Sequence, residues 1–129
     1  MPNIQQSDAT FQSVSDMIYQ HLAERDWQDG PARGLAISIA LEASELVEHY
    51  QWSDNPVGTP DELAEELADI FIYAFQFAQV NNIDIPQAIS KKLEKAARKY
   101  PAEKFKGKTA EEREKNWLES KLNHQKEGL

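Results

Sequence analysis

Apolar residues recur along this 129-residue chain at helical spacing, and no segment alternates as a strand would. Phe11, Val14, Ile18 and Leu22 form one stripe, with Ser7 placed to cap its helix and an end expected around Arg25-Asp26-Trp27, before the Asp29-Gly30-Pro31 break. A second helix is expected from about Ala32 to Tyr50, stopping before Ser53-Asp54-Asn55-Pro56. The third has the best start signal: Thr59 as N-cap, Pro60 as first helical residue and Glu62 closing a capping box. It is expected to continue to about Val80 and break at Asn81-Asn82. Asp84 is placed to cap a fourth helix that has Pro86 in its first turn and runs to Lys99, where Tyr100-Pro101 halts it. A last helix is expected to start at the capping box Thr109-Ala110-Glu111-Glu112 and to carry Trp117, Leu118 and Leu122. With no hairpin signal and no internal repeat, the class is all-α: a four-helix-bundle-like single domain over residues 1–129, with an additional C-terminal helix.

Two acid pairs break this pattern. Glu42 and Glu45 interrupt the apolar run from Leu35 to Leu41, which resumes at Leu46-Val47, and Glu66 and Asp69 precede the run from Ile70 to Phe75. A carboxylate on a helix that should be packed is costly unless something satisfies it, and a divalent cation does so naturally. Residues three or four apart share a helix face. Ser38, Glu42, Glu45, His49 and Trp52 follow a 4-3-4-3 spacing, as do Glu62, Glu66, Asp69, Tyr73 and Gln76. Two such helices packed side by side would gather four carboxylates, a hard-oxygen set suited to Mg²⁺ or Mn²⁺ rather than Zn²⁺. A Glu-x-x-Glu in an acidic chain is more often a solvated face, but here the flanks are apolar nearly all round and the pair recurs on the next helix. A di-iron carboxylate centre would need Glu-x-x-His, and none of His21, His49 or His124 has a Glu three residues before it. The histidines therefore take a structural reading.

Charge adds one distinction. The net charge is −8, and between Gly34 and Ser90 there are ten acids and no Lys or Arg. From Lys91 to Lys108 there are eight bases against Glu94 and Glu103. The bulk charge argues against a nucleic-acid or anionic-membrane partner. An acidic centre beside a basic segment fits a metal bound to a phosphorylated small molecule, although solvated faces of separate helices would have the same composition. The chain has no Cys, which removes disulfides and thiolate chemistry. It opens on no signal-peptide pattern and has no apolar run long enough to span a bilayer, so a cytoplasmic protein is expected.

Glu42-Ala-Ser-Glu-Leu-Val-Glu-His-Tyr-Gln-Trp52, then Glu66-Leu-Ala-Asp-Ile-Phe-Ile-Tyr73, then Lys92 through Lys99-Tyr100-Pro101 resembles the MazG-like all-α nucleoside triphosphate pyrophosphohydrolases, and Glu24-Arg-Asp-Trp27 matches the segment before their first metal helix. The resemblance covers about residues 10–102 and leaves 103–129 as a C-terminal extension. It implies Mg²⁺-dependent hydrolysis of a nucleotide between its α and β phosphates, with Mn²⁺ as a possible substitute. It implies Glu42, Glu45, Glu66 and Asp69 as metal ligands, Trp27 and Trp52 against the base, Tyr73 lining the nucleotide site, and Lys92, Lys99 and Tyr100 near the phosphates. Glu42 or Glu45, left partly outside the metal shell, would accept the proton of the attacking water. The chain departs from the family at Ala96, where Asn is frequent, and at Asp29–Gly34, where His and Asn are frequent; both bear on sugar and base preference.

The expectation is a cytoplasmic homodimer or homotetramer that removes non-standard or surplus nucleoside triphosphates, because helices two and three are apolar on more faces than one small monomer covers. Two other readings remain: a non-catalytic acidic helical interaction protein, and a related enzyme acting on a phosphoribosyl-type metabolite.

Overall fold

A computed structural model describes residues 8–126. The described residues form five α-helices, a single 3-10 turn between the last two, and no strand: α1 (Phe11–Ala23), α2 (Ala32–Glu48), α3 (Pro60–Val80), α4 (Ile85–Lys99) and α5 (Ala110–Lys126). The all-α class follows directly. Contacts group the chain into two compact units that divide after Ile85.

In the first unit, local chemistry sets most helix ends. Thr10 caps α1: its hydroxyl accepts from the Ser13 N–H at 3.0 Å while Ser13 Oγ accepts from the Thr10 N–H at 2.8 Å. Ser7, the expected cap, lies outside the described residues. Thr59 caps α3 by accepting from the Glu62 N–H at 3.2 Å, with Pro60 in the first turn. Asp26 and Asn82 take left-handed backbone (φ 57° and 56°) after α1 and α3. Each is followed by a bond back into the helix, Trp27 N–H to Leu22 O and Ile83 N–H to Ala78 O, both at 2.9 Å. α2 ends at Glu48, two residues sooner than expected. Tyr50 N–H bonds Val47 O three residues back, and the chain then turns so that Val57 N–H reaches His49 O at 2.9 Å.

α3 is the spine of this unit, packed along α2 and against α1. Ile18, Leu22 and Phe75 make a buried cluster with Val14 and Ile85 against it, and Phe11 stacks on Phe75 with ring centroids 4.7 Å apart. The α1 stripe read from the sequence is thus the face that packs. Two glutamines of α3 are tied to the α1 side: Gln76 donates to the Trp27 carbonyl at 2.9 Å, and Gln79 donates to Ser15 O and Oγ at 3.0 Å.

The second unit holds most of α4, the 3-10 turn Ala102–Lys104 and α5. Tyr100 stacks on Trp117 at 6.4 Å and meets the edge of Phe105 at 6.0 Å. The expected capping box of α5 is present in both directions between Thr109 and Glu112.

Candidate metal centre

The antiparallel approach of α2 and α3 brings the two acid pairs together. Glu42, Glu45, Glu66 and Asp69 each present a carboxylate oxygen, and these atoms all lie within 4.8 Å of one another. Four like charges at that spacing repel, and the side chains respond. Burial first, then the neighbouring Glu45, Asp69 and Glu66, holds the Glu42 carboxyl above the usual carboxylate range. Burial and the close Glu45 carboxyl raise Glu66 as well, while His49 acts in the opposite sense. The Glu66 side chain is 22% exposed, yet its Oε2 is buried with no hydrogen-bond partner. A buried carboxylate oxygen without a partner, on a residue that belongs to an all-oxygen, four-carboxylate cluster, is what a hard divalent cation satisfies, so the residues present fit Mg²⁺ or Mn²⁺.

His49 lies in this neighbourhood as well. Its Nε2 lies 3.5 Å from Glu66 Oε1, and its Nδ1 accepts from the Gly58 N–H at 3.1 Å. The available signal was its place four residues after Glu45 on the acid-bearing stripe. Spacing puts Trp52 on that same stripe, but α2 has ended by then and Trp52 sits in the following loop, 86% exposed. It anchors no core. Trp27 is also no core anchor, at 60% exposed, and its backbone is tied to α3 through Gln76. Tyr73 is half-buried one turn beyond Asp69, while Phe71 is exposed and Phe75 is core.

In the second unit, Lys92, Lys99 and Tyr100 line one cavity of about 190 Å³ together with Lys95, Ala96 and His124. Three of the expected phosphate-side residues are therefore neighbours. The ring of Tyr100 is committed to packing on Trp117, and Lys99 Nζ lies 5.3 Å from its centroid. No described helix is long and apolar enough to cross a membrane.

The MazG-like family profile matches residues 37–119. That span holds all four clustered acids and continues into α5, beyond Pro101, where the motif resemblance stops. dCTP pyrophosphatase 1 of Bos taurus is 31% identical over 110 residues, covering 78% of this chain and 65% of that protein. The Homo sapiens protein of the same name is 33% identical over 104 residues, covering 74% and 61%. The chain thus spans a little under two thirds of the length of these relatives. The crystal structure of a pyrophosphatase from Archaeoglobus fulgidus superposes with a TM-score of 0.62 at 29% identity, over 77% of this chain and 99% of that one. The matched profile covers more than half of the sequence and includes the entire carboxylate cluster, and the chain belongs to the MazG-like family.

Proposed function

We propose that this protein is a divalent-metal-dependent nucleotide pyrophosphohydrolase that splits a (d)NTP into its monophosphate and pyrophosphate. The observation that carries the reading is the convergence of four carboxylates from two helices within 4.8 Å, with Glu66 Oε2 left without a protein partner. Glu42, Glu45, Glu66 and Asp69 would hold the ion, with Mg²⁺ the physiological choice and Mn²⁺ a substitute. Such an ion supplies neutralisation of polyphosphate charge and a more acidic water.

The chain's own groups do the rest. Glu42 or Glu45 takes the proton of the attacking water as its oxygen bonds the α-phosphorus, and the bond to the bridging oxygen of the β-phosphate breaks with pyrophosphate leaving. Exposed Trp27 and Trp52 offer faces for a base and Tyr73 lines the nucleotide site; in the second unit, taken by itself, Lys92, Lys99 and Tyr100 line a basic cavity suited to phosphate. Ile37, Leu41, Val47, Leu67 and Phe71 leave large apolar surface exposed on α2 and α3, which supports a homodimer or homotetramer. We place the enzyme in the cytoplasm, where it would remove surplus or non-standard nucleotides.

The test is pyrophosphate release across standard and modified nucleoside triphosphates with Mg²⁺ and with Mn²⁺. dCTP is the first to try, given the substrate in the names of the relatives. Release from at least one nucleotide, dependent on the ion, is expected; silence across the panel with both ions overturns the reading. Light scattering on the purified protein checks the oligomer, which a monomer mass would exclude.

A further inference from the structure

The contact between α2 and the loop that follows it does more than close a turn. The Gly58 N–H can only donate, so at 3.1 Å it requires His49 Nδ1 to be the ring's unprotonated nitrogen. The ring proton of neutral His49 then lies on Nε2, the nitrogen that faces Glu66 Oε1 at 3.5 Å. Separation of 3.5 Å is long for a hydrogen bond, and a shift of a few tenths of an ångström would bring it into range. Two features keep the ring from turning away. The His49 side chain is only 13% exposed. Residue 58 is also glycine at a point of close approach: a Cβ there would overlap His49 Cε1 and Nδ1 and stand 2.7 Å from Glu62 Oε2.

We propose that His49, oriented by Gly58, is a positioning residue for the metal centre: its Nε2–H holds Glu66 Oε1 so that Oε2, which has no protein partner, is left free to take the ion. This rests on the metal-centre reading above. A carboxylate bound through one oxygen while the other is held by an imidazole N–H is oriented before the ion arrives, and such outer partners commonly change metal affinity by about 10–100-fold. The same loop that ends α2 thereby sets the rotamer of a ligand on α3. Glu66 is thus supported from a segment that carries no ligand itself.

Asparagine and glutamine separate the two ring nitrogens. An Asn side chain reaches the level of Nδ1 and can still accept from the Gly58 N–H, whereas a Gln side chain reaches the level of Nε2 and can still donate to Glu66. The experiment measures Mn²⁺ affinity by electron paramagnetic resonance, and melting temperature with and without Mg²⁺, for the wild type, His49→Asn, His49→Gln and Gly58→Ala. His49→Gln is expected to keep Mn²⁺ affinity within about threefold of wild type. His49→Asn and Gly58→Ala are expected to weaken it about tenfold or more, with His49→Asn melting near wild type in the absence of metal. If Asn preserves affinity and Gln does not, His49 is only a loop anchor and the inference is wrong. Equal affinity in Asn and Gln, whether retained or lost, overturns it too, since the donor's position would then be irrelevant. A wild type that binds neither ion overturns the metal centre itself, which is a separate result from any of these.

Discussion

The two halves of α3 are one uninterrupted helix with opposite habits. From Phe75 onward Phe75, Gln76 and Ala78 are buried and both glutamines are engaged: Gln76 holds the Trp27 carbonyl and Gln79 holds Ser15. Before Phe75, Glu66 keeps an unpartnered buried oxygen, Glu66 and Asp69 crowd two further carboxylates, and Leu67 and Phe71 stay exposed. Helix propensity cannot explain the contrast, since both halves are helical. What each half faces does: α1 and the Trp27 turn for one, the acids of α2 for the other. The satisfied half provides the stability that lets the strained half hold like charges together, the usual division where a site violates a packing rule.

The sharpest way to break that comparison is to substitute both halves. Phe75→Ala removes the ring that Ile18, Leu22 and Phe11 pack on, and is expected to cost about 3 kcal/mol in denaturant unfolding. A cost below about 1 kcal/mol would mean that the core lies elsewhere. Glu66→Gln should do the reverse. Burial and Glu45 both work against its charge, so the metal-free protein should melt at the same temperature or higher. Turnover should nevertheless fall by about 100-fold or more, and the rise in melting temperature on adding Mg²⁺ should vanish. A substitution that lowers metal-free stability and leaves the Mg²⁺ response intact would assign Glu66 to structure.

These two substitutions also mark what was legible in the sequence. The bounds of α3 were, because Thr59, Pro60 and Asn82 act within a turn of themselves. The acid face was too, because three- and four-residue spacing fixes a side of a helix whatever it meets. The end of α2 was not: carrying the stripe on to Trp52 assumed a helix that the Val57–His49 bond closes off, and that bond joins residues eight apart across an irregular loop. The partners of His49 were not legible for the same reason. They are a backbone N–H nine residues away and a carboxylate on another helix, and no local spacing encodes either. Gln76 was placed on the acid stripe correctly by position, yet one turn past Tyr73 that stripe has left the acids and entered the core.

Gln76 makes the next, smaller test, because it sits where the two halves meet. Gln76→Ala would leave the Trp27 carbonyl without its donor and open space beside Gly30, whose Cα lies close enough that an added Cβ would be 3.1 Å from Gln76 Nε2. The expected loss is about 1–3 kcal/mol of stability, with Mn²⁺ affinity unchanged because the acids are not touched. Weakened metal binding would show that the Trp27 turn and the carboxylate cluster are one cooperative element rather than two.

Trp52→Ala should give the smallest effect on the fold. The side chain is 86% exposed, beyond the end of α2, and no ring contact involves it among the described residues. Its removal should change unfolding free energy by less than about 0.5 kcal/mol. If Trp52 stacks on the base as proposed, loss of that face should raise KM several-fold, within the roughly 1–3 kcal/mol that an aromatic–base stack contributes. Metal affinity should stay at the wild-type value. A Trp52→Ala protein with unaltered KM for every hydrolysed nucleotide would place base recognition elsewhere, whereas one that melts early would place Trp52 in an interface between copies of the chain.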